Sequence, residues 1–226
     1  MILRNIIVFL ALAIPFFGLS YWLTSPPSSP VHENLPWEVE VLPGGGSRVF
    51  GVTLGETPLG NLSDRLRARP RLEWVVAPDG ERRLEATFEG VTLGPFLVDL
   101  VARLDAPEPS PGSVPGSAAG DGDSSAGGRR LPLPEGGGDR AMALPVVALI
   151  YAPRARYSED TVEQRFGDPA ARFAAQDGRY FLYPGQGLAL YLAREGRDVL
   201  HYVPPRDFGA LEERLRDGDA PEGVLP

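Results

Sequence analysis

Few side chains in this chain can move a proton, attack an electrophile or hold a metal. It contains no cysteine, and all 22 of its basic residues are arginine. The missing thiol excludes disulfides, thiolate catalysis, iron–sulfur ligation, cysteine-type zinc sites and lipidation at an N-terminal cysteine. The missing lysine excludes a phosphate-loop lysine and Schiff-base chemistry. Two histidines remain. His32 stands in a Pro/Ser-rich stretch, and His201 in the strand-like run Leu200-His201-Tyr202-Val203. A strand histidine could serve as a general base. No serine, aspartate or second histidine stands at a recognised spacing, so a structural or surface histidine is expected. No His-Glu-x-x-His or paired-histidine spacing points to zinc. The glycine clusters Gly44–Gly46 and Gly136–Gly138 lead into no phosphate loop. The reading is a non-enzyme, with no catalytic, metal-binding or cofactor-binding residue and no cofactor.

Charge and aromatic surface are the better leads. Arg65, Arg67, Arg69 and Arg71 crowd the end of one helix-like segment. Cations at a helix C-terminus complement the macrodipole. They could also receive an anion or a partner, either a lipid headgroup or an acidic protein surface. Tyr180, Phe181, Tyr183 and Tyr191 fall on neighbouring strands, and alternation sends Phe181 to the face opposite Tyr180. An exposed aromatic there would suit a protein contact, and a free sheet edge could accept an added strand. A net charge of -8 and a pI near 4.9 argue against nucleic acid.

The elements that must position these residues begin with an apolar leader. Arg4 precedes an uncharged run of 18 residues, Ile6 to Leu23, closed by Tyr21 and Trp22. A membrane span needs roughly 17–25 residues. The next positive residue is Arg48, so the positive-inside rule sends the chain after Leu23 across the membrane. Gly18-Leu19-Ser20 also fits a signal-peptide cleavage site. Residues 1–23 are therefore expected to be a transmembrane anchor or a signal peptide, followed by a Pro/Ser spacer at 24–34.

Two folded units are expected beyond the spacer, at 35–105 and 142–216. Leu35, Trp37, Val39 and Val41 alternate as a strand. Thr57-Pro58 opens a helix with Leu59, Leu62 and Leu66 on one side, and Pro70 ends it. Strands follow at Leu72–Ala77, Leu84–Phe88 and Phe96–Leu104. Residues 106–141, rich in Gly, Pro and Ser, read as a disordered linker. The second unit has a strand at Leu144–Tyr151. A helix capped by Ser158 follows, carrying Val162 and Phe166 and stopped by Gly167. A meander from Phe173 to Val203 and a helix at Arg206–Arg216 complete it. Residues 217–226 read as a disordered tail. An offset of 100 aligns Leu62 with Val162, Arg65 with Arg165 and Leu66 with Phe166, which suggests duplication.

The second half has Ser158-x-x-x-Val162-x-x-x-Phe166-Gly167-x-Pro169, then Asp177-Gly178-x-Tyr180-x-x-Tyr183-Pro184, then Gly187-Leu188-x-Leu190, Gly196 and Val199. This pattern resembles the SmpA/OmlA-like (BamE-like) domain of small bacterial envelope proteins, over about Leu149 to Val203, with a fainter echo from Val49 to Leu104. The resemblance implies a helix ending in Phe-Gly-x-Pro that packs on a three-stranded antiparallel sheet. It also implies a binding subunit in outer-membrane protein assembly. The chain departs from the family in lacking a lipidated cysteine and in having two units, which fits an uncharacterised relative.

The expected fold is therefore α+β: an N-terminal membrane-spanning or signal helix, then two tandem units, each with a helix on an antiparallel meander. The expected function is a non-catalytic protein-interaction or assembly module with an envelope protein partner. It would sit at a bacterial inner membrane through its N-terminal helix with the soluble part in the periplasm, or be periplasmic if the leader is cleaved. The alternatives are a lipid or small-ligand binder using a groove between the units, and a periplasmic carboxylate hydrolase. The candidate interaction residues are Arg65, Arg67, Arg69, Arg71 and Phe181.

Overall fold

Strand alternation and turn chemistry produce one large antiparallel sheet with helices on both faces. The structure, a computed structural model, describes residues 34–77, 80–107, 124–125 and 128–217. In chain order the elements are β1 (Glu40–Leu42), β2 (Gly46–Val49), β3 (Val52–Thr53), α1 (Leu59–Leu66), β4 (Arg71–Val76), β5 (Arg82–Leu93) and β6 (Phe96–Leu104). Then come β7 (Ser124–Ser125), β8 (Gly128–Pro132), α2 (Gly137–Met142), β9 (Val146–Pro153), α3 (Glu159–Phe166), β10 (Ala171–Ala175), β11 (Gly178–Tyr183), β12 (Leu188–Ala193), β13 (Val199–Tyr202) and α4 (Phe208–Arg216). The expected leader, all of the spacer but Asn34, half of the expected linker, and the tail beyond Asp217 lie outside the described residues. Among the described residues no helix is long and apolar enough to cross a membrane.

β1 to β3 form a small sheet, and the other strands form a ten-stranded sheet in the order β10-β11-β12-β13-β9-β6-β5-β4-β8-β7. The helix-plus-meander pattern occurs twice, with α1 before β4–β6 and α3 before β10–β12. The two helices keep the offset of 100. The halves are not two separate bodies, however, and residues from Asn34 onward form one compact unit. β6 pairs with β9 from Val98↔Pro153 to Leu104↔Val146. The reason lies in β6, where Val98, Leu100, Val101 and Ala102 are all buried. Asp99 on the opposite face is buried too, and a strand covered on both faces lies inside a sheet rather than at its edge. Backbone bonds also lace the halves together: Leu59 N–H donates to Leu144 O at 2.9 Å, and Val146 N–H to Thr57 O at 2.9 Å.

One core serves both halves. Leu59, Leu62, Trp74, Phe88 and Leu100 of the first pack with Tyr151, Val162, Phe166 and Leu190 of the second. The small sheet closes this core from outside. Phe50 and Gly51, at φ 53° and 70°, turn the chain between the paired Val49 and Val52. A left-handed phenylalanine costs roughly 1–2 kcal/mol. Burial of its ring offsets that cost: Phe50 stacks on Tyr151 at 5.2 Å and meets Tyr202 edge-on at 5.5 Å. On the opposite face α4 lays Phe208, Leu211 and Leu215 against Ala148, Tyr180, Leu182 and Ala189.

Two sequence expectations need correction. Residues 129–141 are not disordered linker. β8 pairs with β4, setting Leu131 against Trp74, and Leu131 and Ala141 enter the core. The expected strand from Leu35 is regular only over Glu40–Leu42, and Val41 is 51% exposed. The chain turns instead at Leu35, whose carbonyl accepts from Glu38 N–H, and Pro36 O accepts from the Tyr202 hydroxyl at 2.7 Å.

Candidate functional site

The end of α1 is shaped by a residue that pays for its conformation. Arg67 caps the helix at φ 49° and ψ 37°, where glycine is usual. Its N–H reaches Asp64 O, Ala68 N–H reaches Ser63 O, and Ser63 Oγ donates to Ala68 O at 2.6 Å. This tight turn points the chain toward β4 and leaves Arg67 and Arg69 exposed beside a groove. α2 supplies the other wall through Gly138, Asp139 and Met142, because β8 delivers it there from the far side of β4. The groove has a volume of about 680 Å³ and is lined also by Asp64, Ala68, Pro70 and Leu72.

The four arginines divide. Arg67 and Arg69 line the groove and form no ion pair among the described residues. Arg65 lies over the β2–β3 turn, so close that a Cβ on Gly51 would fall 2.5 Å from its guanidinium. Arg71 is engaged with Glu89 at 3.1 Å and Glu73 at 3.6 Å. Phe181 is the clear correction. It is 0% exposed, within the main core, with the Arg172 guanidinium 5.5 Å over its ring. Alternation does send it opposite Tyr180, but both faces of β11 are covered, one by α3 and the main core and the other by α4. No exposed aromatic stands there.

The groove has the means to attract a charge but little to react with it. The Ser63 hydroxyl is committed to Ala68 O. His201 lies on the other face of the sheet, 4% exposed. Burial, with the Arg103 and Arg214 guanidiniums beside it, holds its pKa down to about 3, so the ring is neutral at physiological pH. Its neighbourhood has a cavity of only about 20 Å³. Among the described residues no three His, Asp or Glu side chains lie together in a way that could hold a metal ion.

The buried carboxylates are braces. Asp198 accepts from Tyr157 N–H at 2.6 Å and Ala193 N–H at 3.1 Å, fixing the approach to α3. Burial raises its pKa, and those two N–H groups and Arg156 moderate the rise. Asp99 accepts from Gly90 N–H at 2.6 Å at the bulge of β5, and from Arg154 and Arg197. Burial pushes its pKa up, but the Gly90 N–H and the two arginines outweigh that and leave it lowered.

The seam between the halves is a continuous ladder rather than an open groove, apart from the small cavity beside His201. Sequence reasoning did not find that cavity. Its polar residues, Arg83, Arg103, His201 and Arg214, stand far apart in the chain, and only the register of β5, β6, β9 and β13 with the packing of α4 gathers them. The chain matches no protein family, no curated protein and no solved structure.

Proposed function

We propose that this protein is a non-catalytic binding module of the bacterial envelope whose α1–α2 groove captures an acidic segment of a protein partner. The observation that carries this reading is the exposed pair Arg67 and Arg69. The two line a wide groove beside Asp64 and Asp139 yet are paired with no carboxylate among the described residues, and Arg67 holds a left-handed helix cap. Non-glycine residues in such conformations collect at functional sites. Arginine forks match carboxylates, and exposed arginine clusters are a recurrent way to read acidic motifs. The local likeness of the second half to the SmpA/OmlA-like domain supports the same class of role: α3 ends in Phe166-Gly167 and packs on β10–β12, with Phe166 6.2 Å from Tyr183. The uncharged run from Ile6 to Leu23 after Arg4 supports export and attachment at the inner membrane, or release into the periplasm after cleavage.

The test is a photo-activated cross-linker at Met142, in the groove wall, in cells carrying the full chain. An envelope protein with an acidic segment should be captured. The adduct should fall at least about tenfold with Arg67→Glu and Arg69→Glu together, the loss and reversal of two exposed ion pairs. An adduct unchanged by the double reversal would remove the groove from the account.

A further inference from the structure

We infer that the cavity at the seam between the two halves of the sheet is a binding site for one monoatomic anion, a halide such as chloride. β5 and β6 bring Arg83 and Arg103 to this face, β9 and β13 bring Ala148 and His201, and α4 closes the top with Arg214. The space is about 20 Å³, and roughly 10–15 Å³ suffices for one water-sized species. The Nε atoms of Arg83 and Arg103 are buried and have no hydrogen-bond partner among the described residues. A buried charged donor left unpaired is costly, and two such donors on side chains that line one small cavity call for a shared acceptor.

The surrounding chemistry selects the acceptor. Arg83 approaches Glu81 at 3.5 Å, and Glu85 stands across from Arg103 in the β5–β6 ladder. Three guanidiniums thus face two carboxylates, and neither carboxylate lines the cavity. The Tyr202 hydroxyl is spent on Pro36 O on the other face. The remaining lining side chains are aliphatic apart from His201, a neutral ring with a single acceptor nitrogen and one N–H to give. A water accepting from both arginines would have to place two hydrogens among side chains offering one acceptor. A halide only accepts, and it balances the excess positive charge. The small volume favours a monoatomic anion over sulfate or phosphate.

The full chain is melted at constant ionic strength in sodium gluconate, which is replaced stepwise by chloride or bromide. The melting temperature should rise saturably, by about 3–6 °C at ten times the dissociation constant. Arg103→Met should abolish that rise and Arg67→Glu should leave it intact. Crystals grown in bromide give a second readout that does not depend on a folded variant: an anomalous peak between the Nε atoms of Arg83 and Arg103. Equal melting in gluconate and chloride would overturn the proposal in favour of a water. So would a halide effect that survives both Arg103→Met and Arg83→Met, or bromide peaks only elsewhere.

Discussion

His201 stands in an apolar strand that the fold buries. A lone histidine in an apolar strand offers a base on paper. Burial between Ala189 and Ile150, beside Arg103 and Arg214, makes it a poor one. Its pKa is near 3 folded and about 6.5 unfolded, so between those values the unfolded chain binds the extra proton. Stability therefore falls as the pH drops through that window. The urea midpoint should decrease from pH 7 to pH 5 by an amount worth about 2 kcal/mol from this group. His201→Gln should flatten that dependence, and an unchanged dependence would mean that other groups carry it. Phe166 carries the opposite kind of role. It meets Trp37 and Tyr157 edge-on at 5.9 and 6.0 Å, so Phe166→Ala should cost about 3–5 kcal/mol in urea unfolding.

Among the elements, those with local signals were readable from sequence and those set by long-range pairing were not. α3 begins at Ser158, whose hydroxyl accepts from Thr161 N–H at 3.1 Å, and ends at Gly167, as cap chemistry predicts. β6 spans Phe96–Leu104 as alternation predicts. What alternation does not encode is which strand lies beside which. The β6–β9 pairing depends on contacts far apart in the chain, and the burial of both faces of β11 depends on α3 and α4 packing from opposite sides. Phe181 was misread for that reason. β8 was missed because a Gly/Pro-rich context hides one short apolar segment, Leu131 to Leu133. Leu131→Ala tests its place in the core: 5% exposed beside Trp74, it should cost about 2–4 kcal/mol, whereas a residue in a disordered linker would cost nothing. Gly187 is a second test. A Cβ there would fall 1.9 Å from Val203 O at φ 68°, so Gly187→Ala should lower the melting temperature far more than an ordinary surface change.

For the whole molecule, we propose an exported chain of net charge -8 whose sheet and helices present a groove with two exposed arginines, Arg67 and Arg69. A phosphatase reporter fused after Pro226 should be active, and an inactive but well-expressed fusion would reverse the orientation. The groove itself is tested most directly by the affinity of the full chain for a short fluorescent peptide rich in glutamate, measured by anisotropy at two salt concentrations. The account predicts saturable binding that weakens as salt rises, because exposed charges are screened over about 10 Å at 0.1 M. Arg67→Glu with Arg69→Glu should weaken it at least about tenfold, while Arg71→Glu, already engaged with Glu73 and Glu89, changes it little. Binding that ignores the Arg67 and Arg69 reversal, or falls equally with Arg71→Glu, would contradict the groove as the site of capture.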